Sequence, residues 1–292
     1  MPHVELRLEL GPEDPERVEA ACFAAGALAV TLSDAGDSPV LEPAPGTTPL
    51  WQQVALAALF PYGVDRGAVE RSLADALAPA RLAPDWSEVE DRAWEREWLK
   101  DFRPRRHGQR LWVCPHGQRP DDPDAIIVWL DPGLAFGTGT HATTALCLEW
   151  LDASAVAGRR VLDVGTGSGI LAIAALALGA RSARAVDIDA QALTAARDNA
   201  ERNGVAARLA VQDATLDWGA GHELILANIL AEPLVALAPR VAASASPGAA
   251  LILSGILLEQ SDLVAAAYRP WFDMRPGGAR DGWAALVGHR IA

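Results

Sequence analysis

Three short stretches of this chain combine residue types that can hold a ligand. The sharpest runs Val161-Leu-Asp-Val-Gly165-Thr-Gly167-Ser-Gly169-Ile-Leu171, an apolar run entering a glycine-rich turn, with Asp187 following 22 residues after Gly165. Glycines let the backbone turn sharply and approach a bound molecule, and an acidic residue closing the next strand can accept hydrogen bonds from ribose hydroxyls. The spacing is G-x-G-x-G. A dinucleotide fingerprint needs its third glycine or alanine where Ile170 stands, so a ligand with a ribose and no pyrophosphate fits better. Asp163, inside the turn, is read as an acceptor of N–H bonds that fixes the loop. Asp189 is the alternative to Asp187, which lies nearer the strand end.

The second stretch is Leu130-Asp-Pro-Gly-Leu-Ala-Phe136-Gly-Thr-Gly-Thr-His141, with Ala142-Thr143-Thr144 opening a helix. Free N–H groups at a helix start, with Thr143 or Thr144, can hold a carboxylate, and such a loop can close over a ligand. The competing reading is a Thr140 helix cap after a surface loop. Phe136, apolar in a polar loop, favours a lid. The third stretch, Ala227-Asn228-Ile-Leu-Ala231, ends the strand expected beside the first one. There the Asn228 oxygen can accept a hydrogen bond from an amine and orient its lone pair; the alternative is a turn-forming asparagine.

Other chemistries lack their residues. The six histidines show no metal-ligand spacing, no G-x-S-x-G elbow occurs, and Cys147 sits among helical apolar residues as a buried thiol does. Lys100 is the single lysine, so a Walker-type phosphate loop is impossible. Arg103, Arg105, Arg106 and Arg110 form a basic cluster, read as a solvated run able to touch an acidic or phosphorylated partner. A net charge of −13 disfavours unspecific attraction to nucleic acid or anionic membranes. No apolar run reaches the roughly 20 residues of a membrane helix. Three cysteines without C-x-x-C spacing and an opening without signal-peptide regions point to the cytosol.

The elements that position these residues follow from periodicity. Val4 to Leu10 reads as a strand, Glu16 to Ala25 as a helix, Gln53 to Phe60 as a strand and Asp65 to Ala78 as a helix, a small α+β unit interrupted by a Pro/Gly-rich passage. From Asp85 to Arg106 the charged run with Trp94 and Trp98 four residues apart predicts a connecting helix that Pro104 ends. Beyond Gly108, short apolar runs alternating with helices predict a parallel sheet with crossovers. Its strands are expected at 126–130, 160–164, 183–187, 208–211, 224–227 and 250–253. Helices are expected at 142–151, 170–178, 190–203, 233–242 and 259–268, and a hairpin at 271–275 and 283–289.

Taken together the motifs resemble class I S-adenosylmethionine-dependent methyltransferases, and more narrowly the bacterial methyltransferases of large-subunit ribosomal protein eleven. Beyond the three stretches, the likeness extends to Trp94-Glu-Arg-Glu-Trp-Leu-Lys-Asp-Phe-Arg-Pro104 and Ala24-Ala-Gly-Ala-Leu-Ala-Val-Thr31. Ala142 and Thr166 depart from the usual proline and cysteine. The resemblance implies an α/β protein in which a Rossmann-like seven-stranded methyltransferase domain (108–292) follows a ferredoxin-like α+β substrate-recognition domain (1–84) and a helical linker (85–107). It implies S-adenosylmethionine as cofactor, S-adenosylhomocysteine as product and no metal. Thr144, Gly165, Asp187 and Asn228 match the family's cofactor contacts, with Gly167, Phe136 and Thr143 beside them and Asn228 orienting the amine; no general base is assigned. The expected reaction is methylation of lysine ε-amino and N-terminal α-amino groups of ribosomal protein eleven by a cytoplasmic monomer, without direct nucleic acid or membrane contact. The other readings are a small-molecule or nucleic acid acceptor, and a nucleotide-sensing module without turnover.

Overall fold

Apolar residues at every second position of the first strand set the inner face of the first sheet. In the computed structural model, which describes residues 3–11, 14–36, 51, 53–77, 84–89, 103–130 and 139–291, the chain divides into two compact units, Met1–Trp94 and Glu95–Ala292. The first unit runs β1 (His3–Glu9), α1 (Pro15–Ala24), β2 (Ala29–Asp34), β3 (Val54–Pro61), α2 (Arg66–Leu77) and β4 (Asp85–Val89). Its antiparallel sheet has the order β2-β3-β1-β4, the ferredoxin-like arrangement. Val4, Leu6 and Leu8 of β1 and Leu56, Ala58 and Phe60 of β3 pack against Val18, Cys22, Val69 and Leu73 of the two helices. Asp14 caps α1 by accepting from the Glu16 N–H at 3.1 Å.

Two readings of this unit change. β2 was not expected. Asp85–Val89 is an edge strand on β1 rather than the start of a helix. Charges at Asp85 and Glu88 suit an edge strand, and Trp86 packs on Phe60 with ring centroids 5.5 Å apart and donates to Glu70 at 2.8 Å. Pairing with a distant strand overrode the local charge pattern. The Pro/Gly-rich passage, Trp94, Trp98 and Lys100 lie outside the described residues.

The second unit opens with β5 (Arg105–His107), β6 (Leu111–Cys114) and β7 (Ile126–Trp129), which form a separate three-stranded sheet in that order. Ile126–Trp129 therefore does not join the main sheet as expected. Asn203 ties it in place, accepting from the Trp129 N–H at 2.8 Å and donating to the Trp129 carbonyl at 2.7 Å. Then follow α3 (Ala142–Ala153), β8 (Arg160–Val164), α4 (Ile170–Ala177), β9 (Ser182–Asp187), α5 (Ala190–Arg202), β10 (Leu209–Asp213) and β11 (His222–Asn228). The chain closes with α6 (Ala231–Ser244), β12 (Ala245–Leu257), α7 (Ser261–Tyr268), β13 (Phe272–Arg280) and β14 (Trp283–Arg290).

These strands make a seven-stranded sheet of order β10-β9-β8-β11-β12-β14-β13. The first five are parallel, and β14 runs antiparallel to both neighbours, as a terminal hairpin must. One face buries α3 and α4 with Val161, Ala185 and Leu224; the other buries α6 and α7 with Leu162, Ile225 and Leu251. From β8 the chain winds outward through β9 and β10, then returns to start again at β11. The crevice between β8 and β11 is thus the switch point where such sheets bind ligands.

Candidate active site

The glycine turn sits at that switch point. Gly165, Gly167 and Gly169 all have positive φ, and the N–H groups of Gly165 and Thr166 both donate to the Val186 carbonyl, at 2.9 and 3.1 Å. The turn is thereby fastened to β9 before α4 begins at Ile170. Asp163 does what its position suggested. Its buried carboxylate accepts from the Thr166 hydroxyl at 2.7 Å and from the Ala172 N–H at 3.2 Å, while the other oxygen has no partner. Burial pushes this carboxyl up to about 6, against the two hydrogen bonds that pull it down.

Asp187 ends β9 with its carboxylate held on both sides. Gly167 N–H donates to one oxygen at 2.9 Å and Asp189 N–H to the other at 3.0 Å. An ionised carboxylate offers about four acceptor positions, so one on each oxygen is left for a pair of adjacent hydroxyls. Asp189 is committed elsewhere, capping α5 through the Gln191 N–H at 2.8 Å. That separates the two candidates. Beside Asp187, Ile188 is 84% exposed, an apolar side chain in a polar rim that sequence reasoning missed. Its only sequence signal was its place directly after the acidic strand end.

Asn228 ends β11 one residue beyond the pairing of Ala227 with Val164, so it stands level with Gly165. Its amide nitrogen donates to the Thr144 hydroxyl at 3.2 Å, which leaves the carbonyl oxygen as the end available to a ligand. Thr144 is fully buried in the first turn of α3, so the asparagine is anchored from the interior. The next residue, Ile229, is confined by two glycines. A Cβ on Gly165 would stand 2.1 Å from the Ile229 Cγ2, and one on Gly255, in β12, would stand 2.6 Å from the Ile229 carbonyl oxygen. Both glycines have positive φ, +69° and +83°. Gly255 was not foreseen; a glycine inside a strand marks such a close approach.

At the start of α3 the cap is His141 rather than Thr140. His141 Nδ1 lies 2.8 Å from the Thr143 hydroxyl and accepts from the Thr143 N–H at 3.4 Å, a long contact, and the ring meets Trp283 edge-on at 5.0 Å. Thr143 thus turns its hydroxyl to His141, while the Thr144 hydroxyl, accepting from Asn228, keeps its own hydrogen to donate. Phe136 and the rest of its loop, 131–138, lie outside the described residues.

The remaining candidates resolve plainly. All three cysteines are buried and unpaired by disulfides, with burial pushing Cys22 and Cys114 up to about 11 and Cys147 higher still. Among the described residues no group of three His, Cys, Asp or Glu side chains could hold a metal ion, and no helix is long and apolar enough to cross a membrane. In the basic cluster, Arg106 donates to the Gln109 carbonyl at 2.9 Å and Arg110 lies 3.7 Å from Asp152.

Comparison with known proteins gives a family for this geometry. A family model described as "Ribosomal protein L11 methyltransferase (PrmA)" matches residues 2–291. Proteins named ribosomal protein L11 methyltransferase from Methylococcus capsulatus and Pseudomonas aeruginosa are each 50% identical, the first over 98% of both chains and the second over 100% of both. A crystal structure of the ribosomal protein L11 methylase of Lactobacillus delbrueckii subsp. bulgaricus superimposes with a TM-score of 0.60 at 36% identity, covering 65% of this chain and 100% of that one.

Proposed function

The chain belongs to the ribosomal protein L11 methyltransferase family, and on that premise we propose that it transfers methyl groups from S-adenosylmethionine to amino groups of ribosomal protein L11. The acceptors in this reading are lysine ε-amines and the N-terminal α-amine, and the product is S-adenosylhomocysteine. One observation carries it: the Thr144–Asn228 hydrogen bond that holds an amide oxygen level with the glycine turn, where a donor and an amine can meet.

The residues at this end of the sheet fit the cofactor. Asp187 keeps one acceptor position per oxygen for the two ribose hydroxyls, and Ile188 supplies an apolar flank for the adenine. Gly165 and Gly167 keep the turn bare where the nucleoside must pass. The first turn of α3, at Thr143 and Thr144, faces the carboxylate end, and Phe136 is assigned as an apolar contact on the sequence pattern alone. When bound, the sulfonium supplies a methyl group that is already activated. The chain then has to orient the amine, and Asn228 does so by accepting one amine hydrogen so that the lone pair points along the line of transfer. No general base is assigned. The amine must be neutral, and unperturbed pKa values near 10.4 for lysine and 8 for an α-amine mean the rate should rise between about pH 7 and 9. The reading places this chemistry in the cytoplasm, on the protein substrate rather than on nucleic acid, with Met1–Trp94 as the substrate-recognition unit and the chain acting as a monomer.

Labelled methyl transfer to purified L11 tests it. Asp187→Asn should raise the KM for S-adenosylmethionine roughly tenfold or more, the worth of a hydrogen bond to a charged group. Asn228→Ala should lower kcat with little change in that KM. Absence of label on L11, or a D187N enzyme that takes the cofactor as the wild type does, abandons the reading.

A further inference from the structure

We propose that the opposite, N-terminal end of the seven-stranded sheet carries a binding pocket for a phosphate group, built around Arg160, Arg184 and Arg208. The fold leaves room for it. Helices α4, α5 and α6 fill the connections after β8, β9 and β11, but the link from β10 to β11, residues 214–221, contains no helix. That end of the sheet is covered by the link itself, whose Trp218 is buried in one cluster with Leu162 and Val186. A cavity of about 450 Å³ lies there, lined by the opening residues of all four strands and by the Trp218-Gly219-Ala220 turn.

Its lining is chemically one-sided. Arg160 opens β8, Arg184 lies in β9 and Arg208 directly precedes β10, and among the described residues no aspartate or glutamate lines the cavity. This occurs in a chain whose 38 acidic residues outnumber its 25 basic ones. The partners that hold the guanidinium groups matter most. Arg184 donates to the Gln212 amide oxygen, and Arg208 donates to the carbonyls of Ala180 at 2.9 Å and Leu176 at 3.4 Å. Neutral oxygens fix the direction of a guanidinium without cancelling its charge. Among the described residues, Arg160 alone of the three has a carboxylate within 4 Å, Glu223 at 3.5 Å, and Glu223 also lies 3.9 Å from Arg181. Gly221 makes space for Arg160: a Cβ there would sit 3.0 Å from its Nη2.

The rest of the cavity wall is polar on one side and apolar on the other. His222 opens β11 in the wall of the cavity, 8% exposed, with Nε2 on the Trp218 carbonyl at 3.0 Å and Nδ1 buried without any partner. Trp218, buried beneath the Arg240 guanidinium at 3.9 Å, supplies the apolar wall. Arg184 and Arg208 make these bonds through Nη1, so Nε and Nη2 of each planar fork are left to meet phosphate oxygens in pairs. The site lies at the other end of the strands from Gly165, Asp187 and Asn228, so its occupant is distinct from the methyl donor and acceptor.

Isothermal titration of the full chain with pyrophosphate at physiological ionic strength is the test. The expected result is one pyrophosphate per chain, with Arg184→Gln and Arg208→Gln each weakening it roughly tenfold or more. Both variants should keep the wild-type melting temperature to within a few degrees and the wild-type affinity for S-adenosylmethionine, which separates loss of this pocket from loss of fold or of the candidate active site. No binding by the wild type, or equal binding by a folded R184Q or R208Q protein, overturns the proposal. A short single-stranded RNA added to the same titration then distinguishes the source of the phosphate. Displacement of pyrophosphate assigns the pocket to a nucleic acid backbone, and failure to displace it assigns the pocket to a small phosphorylated molecule.

Discussion

Asp163 and His107 are buried groups whose charged forms the fold resists, and they give opposite responses to pH. The Asp163 carboxyl titrates near 3.8 when exposed and is pushed to about 6 by burial. Between those values the folded chain binds the extra proton, so this group's contribution to stability is lost as pH rises through that window. Asp163→Asn removes the dependence: comparing urea unfolding at about pH 4 and pH 7, the variant should gain about 1–3 kcal/mol relative to the wild type. A constant difference between the two proteins would refute it. His107 lines a cavity of about 390 Å³ beside α3, and burial lowers its pKa from 6.5 to about 4, with Arg105 and Arg280 lowering it further and Glu149 opposing them. Here the unfolded chain binds the extra proton, so stability is lost as pH falls from 6.5 towards 4. Its Nε2 is also buried without a partner. His107→Phe should therefore stabilise the chain by about 1–3 kcal/mol near pH 5, with a smaller gain at pH 8. An equal or larger gain at pH 8 would count against the assignment.

At the scale of elements, the candidate site depends on how closely β8, β11 and β12 approach one another around Ile229. Gly255 has a left-handed backbone, and any side chain there would meet the main chain of Ile229 rather than a yielding side-chain tip. Gly255→Ala is expected to cost about 2–4 kcal/mol, combining backbone strain with a steric shift. Because the shift falls on the residue after Asn228, methyl transfer should drop more than cofactor binding does. A G255A protein with wild-type melting and turnover would show that the two strands are not so confined. The elements themselves were largely readable. β8 was placed to the residue, and α3, α4 and α5 to within two, because each combines a local apolar period with a polar or glycine boundary. The misses were β2, β4, β5 and β6. Of these, β4, β5 and β6 are short, and β2 and β4 are edges with no fully buried side chain, so only the neighbouring strand defines them.

For the whole molecule, the two units have separate cores: one set of buried residues joins β1 and β3 to α1 and α2, and two others line the faces of the large sheet. The chain from Glu95 onward should fold without the first unit and bind S-adenosylmethionine, yet label L11 at least about a hundredfold more slowly if Met1–Trp94 selects the protein substrate. Undiminished labelling by the shortened chain would remove that role from the first unit. A net charge of −13 favours encounter with a basic protein, so association with L11 should slow as salt rises. Flat association rates across a salt series would contradict steering.

Local order along the chain was enough to specify a strand, a glycine turn, a helix and an acidic strand end, since each depends on residues within a few positions of one another. The same holds for Asp163 securing its own turn. Contacts between distant residues were decided by the fold. Thr144 and Asn228 are 84 residues apart, yet share a hydrogen bond. Gly255 has no local reason to be glycine until Ile229 is laid against it, and the arginines of β8 and β9 become one cluster with Arg208 only once the sheet sets them side by side. Residue type limits what a side chain can do chemically. Which partner meets it is set by strand pairing and packing, where long-range burial outweighs the weak preferences of short segments.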